Sequence, residues 1–200
     1  MKKIILAIFL ISIAFLANSQ VPGFSIGPKI GYNSNRLSTD FDSITSDARG
    51  SLQFGAFMRI GKKIYLQPEA NYVIKGGRIS IGDLGIQEIK LKSITVPVLV
   101  GIRAINLGIA NVRLMAGPCM SFVSETVIKS PSGLLTSFPI QSKEDLKETN
   151  WSVQMGGGID VSMITIDVRY EIGVDNLYTG DKDFSLKNNL FNVSLGIKLL

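Results

Sequence analysis

Beyond about position 20, apolar and polar side chains alternate along this chain over long stretches. From Trp151 to Met163 the odd positions are mainly apolar, whereas the even positions carry Ser, Gln, Gly and Asp. The alternation resumes in residues 165–172, with Ile, Val and Tyr on one face. A period of two places successive side chains on opposite faces of a β-strand. The pattern therefore predicts a hairpin of two long strands joined by a very tight turn near Met163 and Ile164.

The same period predicts six further strands, and the fold class is all-β. The eight predicted strands cover residues 24–32, 52–60, 64–75, 94–102, 110–122, 151–163, 165–172 and 191–199. Their connections alternate in length: the short ones are 61–63, 104–107 and 163–164, and the long polar ones are 35–50, 76–86, 127–149 and 175–189. Tight turns at one end and long loops at the other are typical of an outer-membrane barrel. We expect a closed antiparallel up-and-down β-barrel with eight transmembrane strands and both termini at the tight-turn end.

Alternation alone does not say which face points outward. A soluble lipocalin-like carrier of apolar ligands would turn its apolar face inward. Two observations favour an apolar exterior: the polar face is rich in small residues that suit a narrow lumen, and aromatic residues cluster near the long-loop ends of the strands. Such aromatics are expected at a membrane interface. The predicted interfacial aromatics are Tyr32, Tyr72, Phe122, Trp151 and Phe191.

The first 19 residues have the pattern of a secretory signal peptide. Lys2 and Lys3 precede an apolar stretch from Ile4 to Ala17, and small residues follow. We expect cleavage after Ser19 or Gln20, so that residues 1–19 are the signal peptide and 20–200 the barrel domain. No later stretch has the 18 or more apolar residues of a spanning helix.

Composition removes several classes of chemistry. The chain has no His, which excludes catalytic pairings and metal sites that depend on imidazole, and its single Cys cannot form an intramolecular disulfide. The formal charge of +5 falls to +3 without Lys2 and Lys3, since 19 basic residues then face 16 acidic ones. This mild excess on an exported chain favours no nucleic-acid partner. Asp175, Asp181 and Asp183 lack EF-hand spacing, so no metal site is predicted.

Charged residues on the polar faces should meet in the lumen. We expect them to form a paired network that fills the barrel, because isolated charges are costly in a narrow desolvated space. A proton or ion pathway is the alternative. The predicted network consists of Lys29, Arg59, Glu69, Asp160, Asp167, Arg169 and Glu171. Cys119 lies on the same face and is expected to be a small buried residue.

Glycines and prolines interrupt the strand patterns. Residues 156–158 are all Gly, lack the spacing of a dinucleotide-binding motif and are expected to relieve crowding. Pro28, Pro68, Pro97 and Pro118 would each remove a ladder hydrogen bond, and we expect β-bulges to accommodate them. No catalytic residue, cofactor site or cofactor is predicted.

Four segments carry a resemblance to a known family. In order they are FSIGPKIGYN at 24–33, YLQPEANYVIKGG at 65–77, ITVPVLV at 94–100 and MAGP at 115–118. They resemble the outer-membrane β-barrel family of the PorT type from Bacteroidetes, over essentially the whole chain after the signal. The resemblance implies an outer-membrane barrel of about eight strands but no single biochemical activity. The chain departs from the usual barrel-assembly signal, an aromatic last residue, because it ends in Leu200.

The preferred function is a non-enzymatic outer-membrane barrel of a Gram-negative bacterium that anchors or presents external loops to a partner. The expected partners are outer-membrane lipid, the barrel-assembly machinery and an unknown protein bound through the long loops. The largest such loop is 127–149, and its charged residues include Lys129, Lys143, Glu144, Asp145, Lys147 and Glu148. A lipid-acting membrane enzyme and the soluble lipocalin-like carrier are the alternatives.

Overall fold

The computed structural model describes residues 23–39, 44–47, 49–81, 86–129, 147–176 and 186–199. The predicted signal peptide lies outside these residues. The strands are β1 (Phe24–Thr39), β2 (Ile44–Asp47), β3 (Arg49–Ile60), β4 (Ile64–Ile81), β5 (Ile86–Asn106), β6 (Ala110–Lys129), β7 (Thr149–Val161), β8 (Ile164–Gly173) and β9 (Leu186–Ile197). No helix among the described residues is long and apolar enough to span a membrane.

The strands close into a barrel in which every neighbouring pair is antiparallel. Each strand from β3 to β8 pairs with the next in sequence, and β1 closes the ring between β3 and β9. Strands β2 and β3 follow one another along β4, with Asp47 opposite Arg78 and Gln53 opposite Val73. Together they occupy one strand position in the wall. The nine segments therefore make eight strand positions, as the alternation predicts. The closed eight-stranded up-and-down architecture is confirmed.

Three tight turns join the hairpins at one end of the barrel. The turn of residues 61–63 is as predicted, but the other two differ: β5 continues to Asn106, so its turn is residues 107–109, and Ser162 and Met163 form the third. The turn between β5 and β6 differs from the prediction because an irregularity between Arg103 and Ile105 shifts the alternation by one residue. Each turn has one residue in the left-handed backbone region, at Gly61, Gly108 and Ser162, with φ of 127°, 80° and 52°.

At the opposite end, the strands extend further than the alternation predicts. β1 continues to Thr39, β4 to Ile81, and β5 begins at Ile86, so most of the predicted 76–86 loop is paired strand. Outside a bilayer both faces of a strand meet water, and polar residues can then occupy either face. Hydrophobic alternation therefore loses its signal where the wall rises above the membrane.

The four prolines are not at bulges, and that expectation is wrong. The irregularities of the β5–β6 ladder lie between Lys92 and Ser93 and between Arg103 and Ile105. Instead, each proline is paired with one neighbouring strand and unpaired with the other. Thus Pro68 is paired with β5 but not with β3, and Pro97 is paired with β6 but not with β4. A residue in an antiparallel ladder points its N–H toward one neighbour only, so a local gap on that side is sufficient.

The two ends of the described chain meet at the tight-turn end. The Gly61 amide donates to the Gly23 carbonyl at 2.7 Å, and the Lys198 amide donates to the Met163 carbonyl at 2.7 Å. The amide of Leu199 reaches the carbonyl of Ile26 at 2.8 Å. This placement agrees with an even number of wall positions.

The apolar faces of the strands point outward. Along β8, the side chains from Ile164 to Ile172 at even positions are all apolar and 40–49% exposed, whereas Thr165, Asp167, Arg169 and Glu171 are 3–4% exposed. The ten residues of β8 match the 9–11 or so that a tilted strand needs to cross the hydrocarbon. The polar faces line the interior, which is the reverse of the lipocalin-like alternative.

Candidate functional site

The interior of the barrel is the largest concentration of charge in the described part of the chain. Nine Lys, Arg, Asp and Glu side chains point into it, each no more than 5% exposed. They are Lys29, Arg59, Lys75, Arg113, Arg169, Glu69, Asp160, Asp167 and Glu171. Because eight strands leave an interior only wide enough for side chains, these groups must satisfy one another.

Seven of these residues form a continuous chain of alternating charge. It starts near the tight turns, where Arg59 Nη1 donates to Asp160 Oδ2 at 2.8 Å. Arg113 Nη2 lies 3.0 Å from Asp160 Oδ1 and 2.6 Å from Asp167 Oδ1, and so bridges the two carboxylates. Arg169 Nη2 then joins Asp167 Oδ2 at 2.6 Å to the remaining carboxylate of the chain.

Glu69 is that carboxylate, and it accepts more hydrogen bonds than Asp160 or Asp167, the other two carboxylates of the charged chain. Its Oε1 accepts from Arg169 Nη2 at 2.7 Å and from the Gln67 amide at 2.6 Å. Its Oε2 accepts from Lys29 Nζ at 2.8 Å and from the Asn71 amide at 3.1 Å. The charged chain thus ends at Lys29 and connects β1, β3, β4, β6, β7 and β8 across the lumen.

Tyr65 forms an aromatic floor beneath this chain. Its ring centroid lies 5.1 Å from the guanidinium carbon of Arg59 and 6.0 Å from those of Arg103 and Arg113. Its hydroxyl accepts from Arg113 Nη1 at 3.3 Å. Gly101 lies directly opposite Tyr65 on β5, and a Cβ there would come within 2.2 Å of the ring. The sequence therefore leaves this position without a side chain so that the ring can cover it.

A second, smaller cluster lies closer to the long-loop end. Lys75 Nζ donates to Glu171 Oε1 and to Ser121 Oγ, the latter at 2.9 Å. Glu171 also accepts from Ser152 Oγ at 2.9 Å and from the Gln154 amide at 2.8 Å. The two clusters differ in net charge. The seven-residue charged chain has four cations and three carboxylates, whereas the Lys75–Glu171 pair is neutral.

The glycines of β7 make room for the charged chain. A Cβ at Gly158 would lie 2.2 Å from Asp167 Oδ1 and 2.7 Å from Arg113 Nη2, and one at Gly156 would lie 3.0 Å from Arg169 Cγ. Gly157 faces outward, and its nearest neighbour would be a backbone oxygen at 3.2 Å. The expectation that these glycines relieve crowding is confirmed for Gly156 and Gly158.

Six of the seven lumen residues predicted from sequence belong to the charged chain, and Glu171 belongs to the second cluster. The sequence prediction missed Arg113, which bridges two carboxylates, and Lys75, which pairs with Glu171. Both lie on the polar face of their strands, so the alternation itself could have identified them. Cys119 is fully buried on the lumen side, 3.6 Å from the Gln154 amide nitrogen.

The outer surface carries the predicted aromatics near the long-loop end. Tyr32, Phe122, Trp151 and Phe191 are 43–57% exposed, and Tyr72 is half-buried because it stacks on Phe54 with centroids 5.1 Å apart. One step beyond Tyr72 and Phe122, toward the loops, Lys92 Nζ pairs with Glu125 Oε2 at 2.8 Å. The apolar surface therefore changes to a charged one just beyond the aromatic positions.

The described residues include no group of three or more His, Cys, Asp or Glu side chains arranged to hold a metal ion. Asp175, one of the three carboxylates of the predicted 175–189 loop, accepts a hydrogen bond from the Trp151 amide at 3.1 Å. Asp181, Asp183 and most of the 127–149 loop lie outside the described residues.

A closed barrel with a polar, packed lumen and an apolar exterior is the architecture of an outer-membrane β-barrel. The sequence pattern of the family described as "Outer membrane protein beta-barrel domain" matches residues 17–179, so the chain belongs to that family. It resides in the outer membrane of a Gram-negative bacterium. No curated protein matches the sequence.

Several solved outer-membrane protein structures are similar to this chain at low sequence identity. The outer membrane protein OprG from Pseudomonas aeruginosa is 9% identical, with a TM-score of 0.53 over 88% of this chain and 95% of that one. The attachment invasion locus protein Ail from Yersinia pestis, solved with the heparin analogue sucrose octasulfate, is 14% identical, with a TM-score of 0.46 over 88% and 98% of the two chains. Neisserial surface protein A is 6% identical, with a TM-score of 0.47 over 88% and 99%. The likeness to OprG extends to the fold alone.

Proposed function

We propose that this protein is a non-enzymatic anchor that holds its long loops outside the cell and presents them to a partner. The observation that supports the proposal is the charged chain across the lumen. Each of its three carboxylates contacts at least two cations: Asp160 contacts Arg59, Arg113 and, at 3.8 Å, Lys198; Asp167 contacts Arg113 and Arg169; and Glu69 contacts Arg169 and Lys29. Groups engaged in this way stabilise the barrel and are unsuited to bind or transform a substrate.

The external side offers the remaining surface for a specific role. Residues 130–148 lie between β6 and β7 in the sequence and include Lys143, Glu144 and Asp145. A barrel whose interior is filled can vary such a connection without losing its fold, because loops tolerate change far better than the wall that carries them. The partner is proposed to be a protein that recognises these charged side chains. Assembly of the barrel by the barrel-assembly machinery is part of the same proposal.

We also propose that the chain is of the PorT type within its family. The proposal is supported by the order of the Leu-Gln-Pro-Glu, Ile-x-x-Pro and Ala-Gly-Pro segments, each of which lies in the barrel wall at β4, β5 and β6. Each segment contributes one of the prolines that stand at a local gap in the ladder. The shared motif residues thus have a structural explanation, and they assign no activity.

The test is replacement of residues 131–145 by a short Gly-Ser linker in the producing bacterium. We expect the barrel to remain heat-modifiable and abundant in the outer membrane, while the strain shows the defect of the complete gene deletion. The matched control replaces residues 178–184, the connection between β8 and β9, in the same way. A strain that loses 131–145 and keeps the full function would overturn the presenting role. Loss of function from a lumen variant that folds normally would favour a pathway through the barrel.

A further inference from the structure

A basic cavity lies at the tight-turn end of the barrel, at the mouth of the lumen, where Arg103 is opposite the buried Arg113 and lies beside the ring of Tyr65. It has a volume of about 390 Å³ and is lined by Lys62, Lys63, Arg103, Ala104 and Asn106. Three of these five residues are cationic and none is a carboxylate. The cavity is therefore positively charged and faces away from the long loops.

An irregularity in β5 shapes this cavity. Arg103 is opposite Arg113, but Ile105 is opposite Val112, so Ala104 is an extra residue that makes β5 bulge beside the first tight turn. The Arg103 amide donates to the Lys63 carbonyl at 2.8 Å, and its guanidinium donates to the Lys62 carbonyl. These two bonds hold the first turn against the bulge and keep the three cations together.

The outer face of the wall beside these residues is apolar, because Ile64 follows Lys63 and Ile102 precedes Arg103 in the sequence. Ile64 and Ile102 are opposite one another on β4 and β5 and are 67% and 43% exposed, and Ile105 is 51% exposed. A ligand that fits both surfaces needs an anionic group for the cavity and a hydrocarbon chain for the wall. Short turns of outer-membrane barrels lie on the periplasmic side, where the inner leaflet places its headgroups.

We propose that this cavity binds the phosphate of an anionic phospholipid of the inner leaflet, whose acyl chain lies along Ile64 and Ile102. Guanidinium and ammonium groups recognise phosphate by charge-assisted hydrogen bonds, and basic pockets at a membrane surface favour acidic headgroups. The site fixes the depth of the barrel at its periplasmic end, as the aromatic residues do at the other end.

The test measures lipid binding to the refolded mature protein in neutral detergent by native mass spectrometry. Phosphatidylglycerol and phosphatidylcholine are titrated separately. The wild type should retain phosphatidylglycerol in preference to phosphatidylcholine. The double variant Lys62→Gln/Lys63→Gln should lower the affinity for phosphatidylglycerol by at least about tenfold, because each cation near an acidic headgroup contributes substantially to the free energy of binding.

The matched control is Lys147→Gln/Lys187→Gln, which removes the same charge at the long-loop end. Its affinity for phosphatidylglycerol should stay within about twofold of the wild type. Equal losses in the two double variants would show bulk electrostatics and overturn the proposal, as would equal retention of the two lipids. Glycerol phosphate is added as a competitor: displacement at concentrations equal to those of the lipid would assign the cavity to a free phosphate and not to a lipid. Both double variants keep Arg103. Heat-modifiability on SDS gels checks that each variant folds.

Discussion

The two faces of the barrel wall follow opposite rules, although they alternate along the same strands. On the outer face of β8, Ile166 and Val168 are 45–46% exposed, whereas the intervening Asp167 is 3% exposed and contacts two guanidinium groups. The outer face is specified only by polarity, since any apolar side chain suits lipid. The inner face is specified by pairing, since each charge depends on particular partners. Substitutions on the inner face should therefore be costly for reasons of charge and space, and those on the outer face only for reasons of polarity.

The largest effect is expected for Glu69→Gln. This change leaves Lys29 and Arg169 buried without the carboxylate that both contact, at 2.8 and 2.7 Å. Breaking a buried pair in this way should lower the free energy of unfolding by about 3–5 kcal/mol. Urea unfolding in detergent micelles measures it. Glu125→Gln, which breaks the exposed pair with Lys92, is the control and should leave the unfolding midpoint unchanged. Equal midpoints for the two variants would contradict the pairing rule.

Val168→Arg tests the outer face. Because Val168 lies in the middle of the apolar stretch of β8, an arginine there should destabilise the protein in a bilayer by about 2–4 kcal/mol. Folding yield and unfolding in lipid vesicles measure the effect. The control Val168→Leu keeps the polarity and should change the stability by no more than about 0.5 kcal/mol. If the arginine variant folded as well as the wild type, this face would not lie in hydrocarbon.

Adjacent glycines on β7 give a comparison of space alone. Gly158→Ala places a methyl group 2.2 Å from Asp167 Oδ1 and should destabilise the barrel by about 1–3 kcal/mol through overpacking. Gly157→Ala points outward and should stay within about 0.5 kcal/mol of the wild type. Unfolding midpoints of the two variants measure the difference. A larger loss for Gly157→Ala would reverse the assignment of the two faces.

The smallest effect is expected for Tyr65→Phe. It removes the hydroxyl that accepts from Arg113 at 3.3 Å but keeps the ring beside three guanidinium groups. Loss of one such hydrogen bond should lower the stability by about 0.5–1.5 kcal/mol. Tyr65→Leu, which also removes the ring, should cost more in the same unfolding measurement. If the two variants had equal free energies of unfolding, the contacts between the Tyr65 ring and the arginines would contribute nothing to stability.

The comparison of faces also explains what the sequence could predict. The strand count, the closed fold and the outward apolar face follow from a period of two, because that pattern is local along the chain. The partners in the lumen are not local: Arg59 and Asp160 are 101 residues apart, and Arg113 and Asp167 are 54 apart. Which charges meet depends on the stagger of eight strands around the ring, which no pattern along one strand contains.

The errors at strand ends have the same origin. The alternation misplaces the turn at residues 107–109 because the bulge at Ala104 shifts it by one residue. It also makes β4 and β5 too short where both faces of the wall leave the membrane. At the prolines, local chemistry alone gives the wrong prediction. Pro68 and Pro97 suggested bulges from local chemistry, but one unpaired neighbour was enough in the folded wall.

The most direct measurement uses the single tryptophan, Trp151, which is 47% exposed on the outer face near the long-loop end. The unmodified protein is refolded into vesicles that contain lipids brominated either close to the headgroup or near the end of the acyl chain. An apolar exterior predicts blue-shifted emission, stronger quenching by the lipid brominated close to the headgroup, and little quenching by aqueous acrylamide. Red-shifted emission that responds to acrylamide and to neither lipid would contradict the outward assignment of the apolar face.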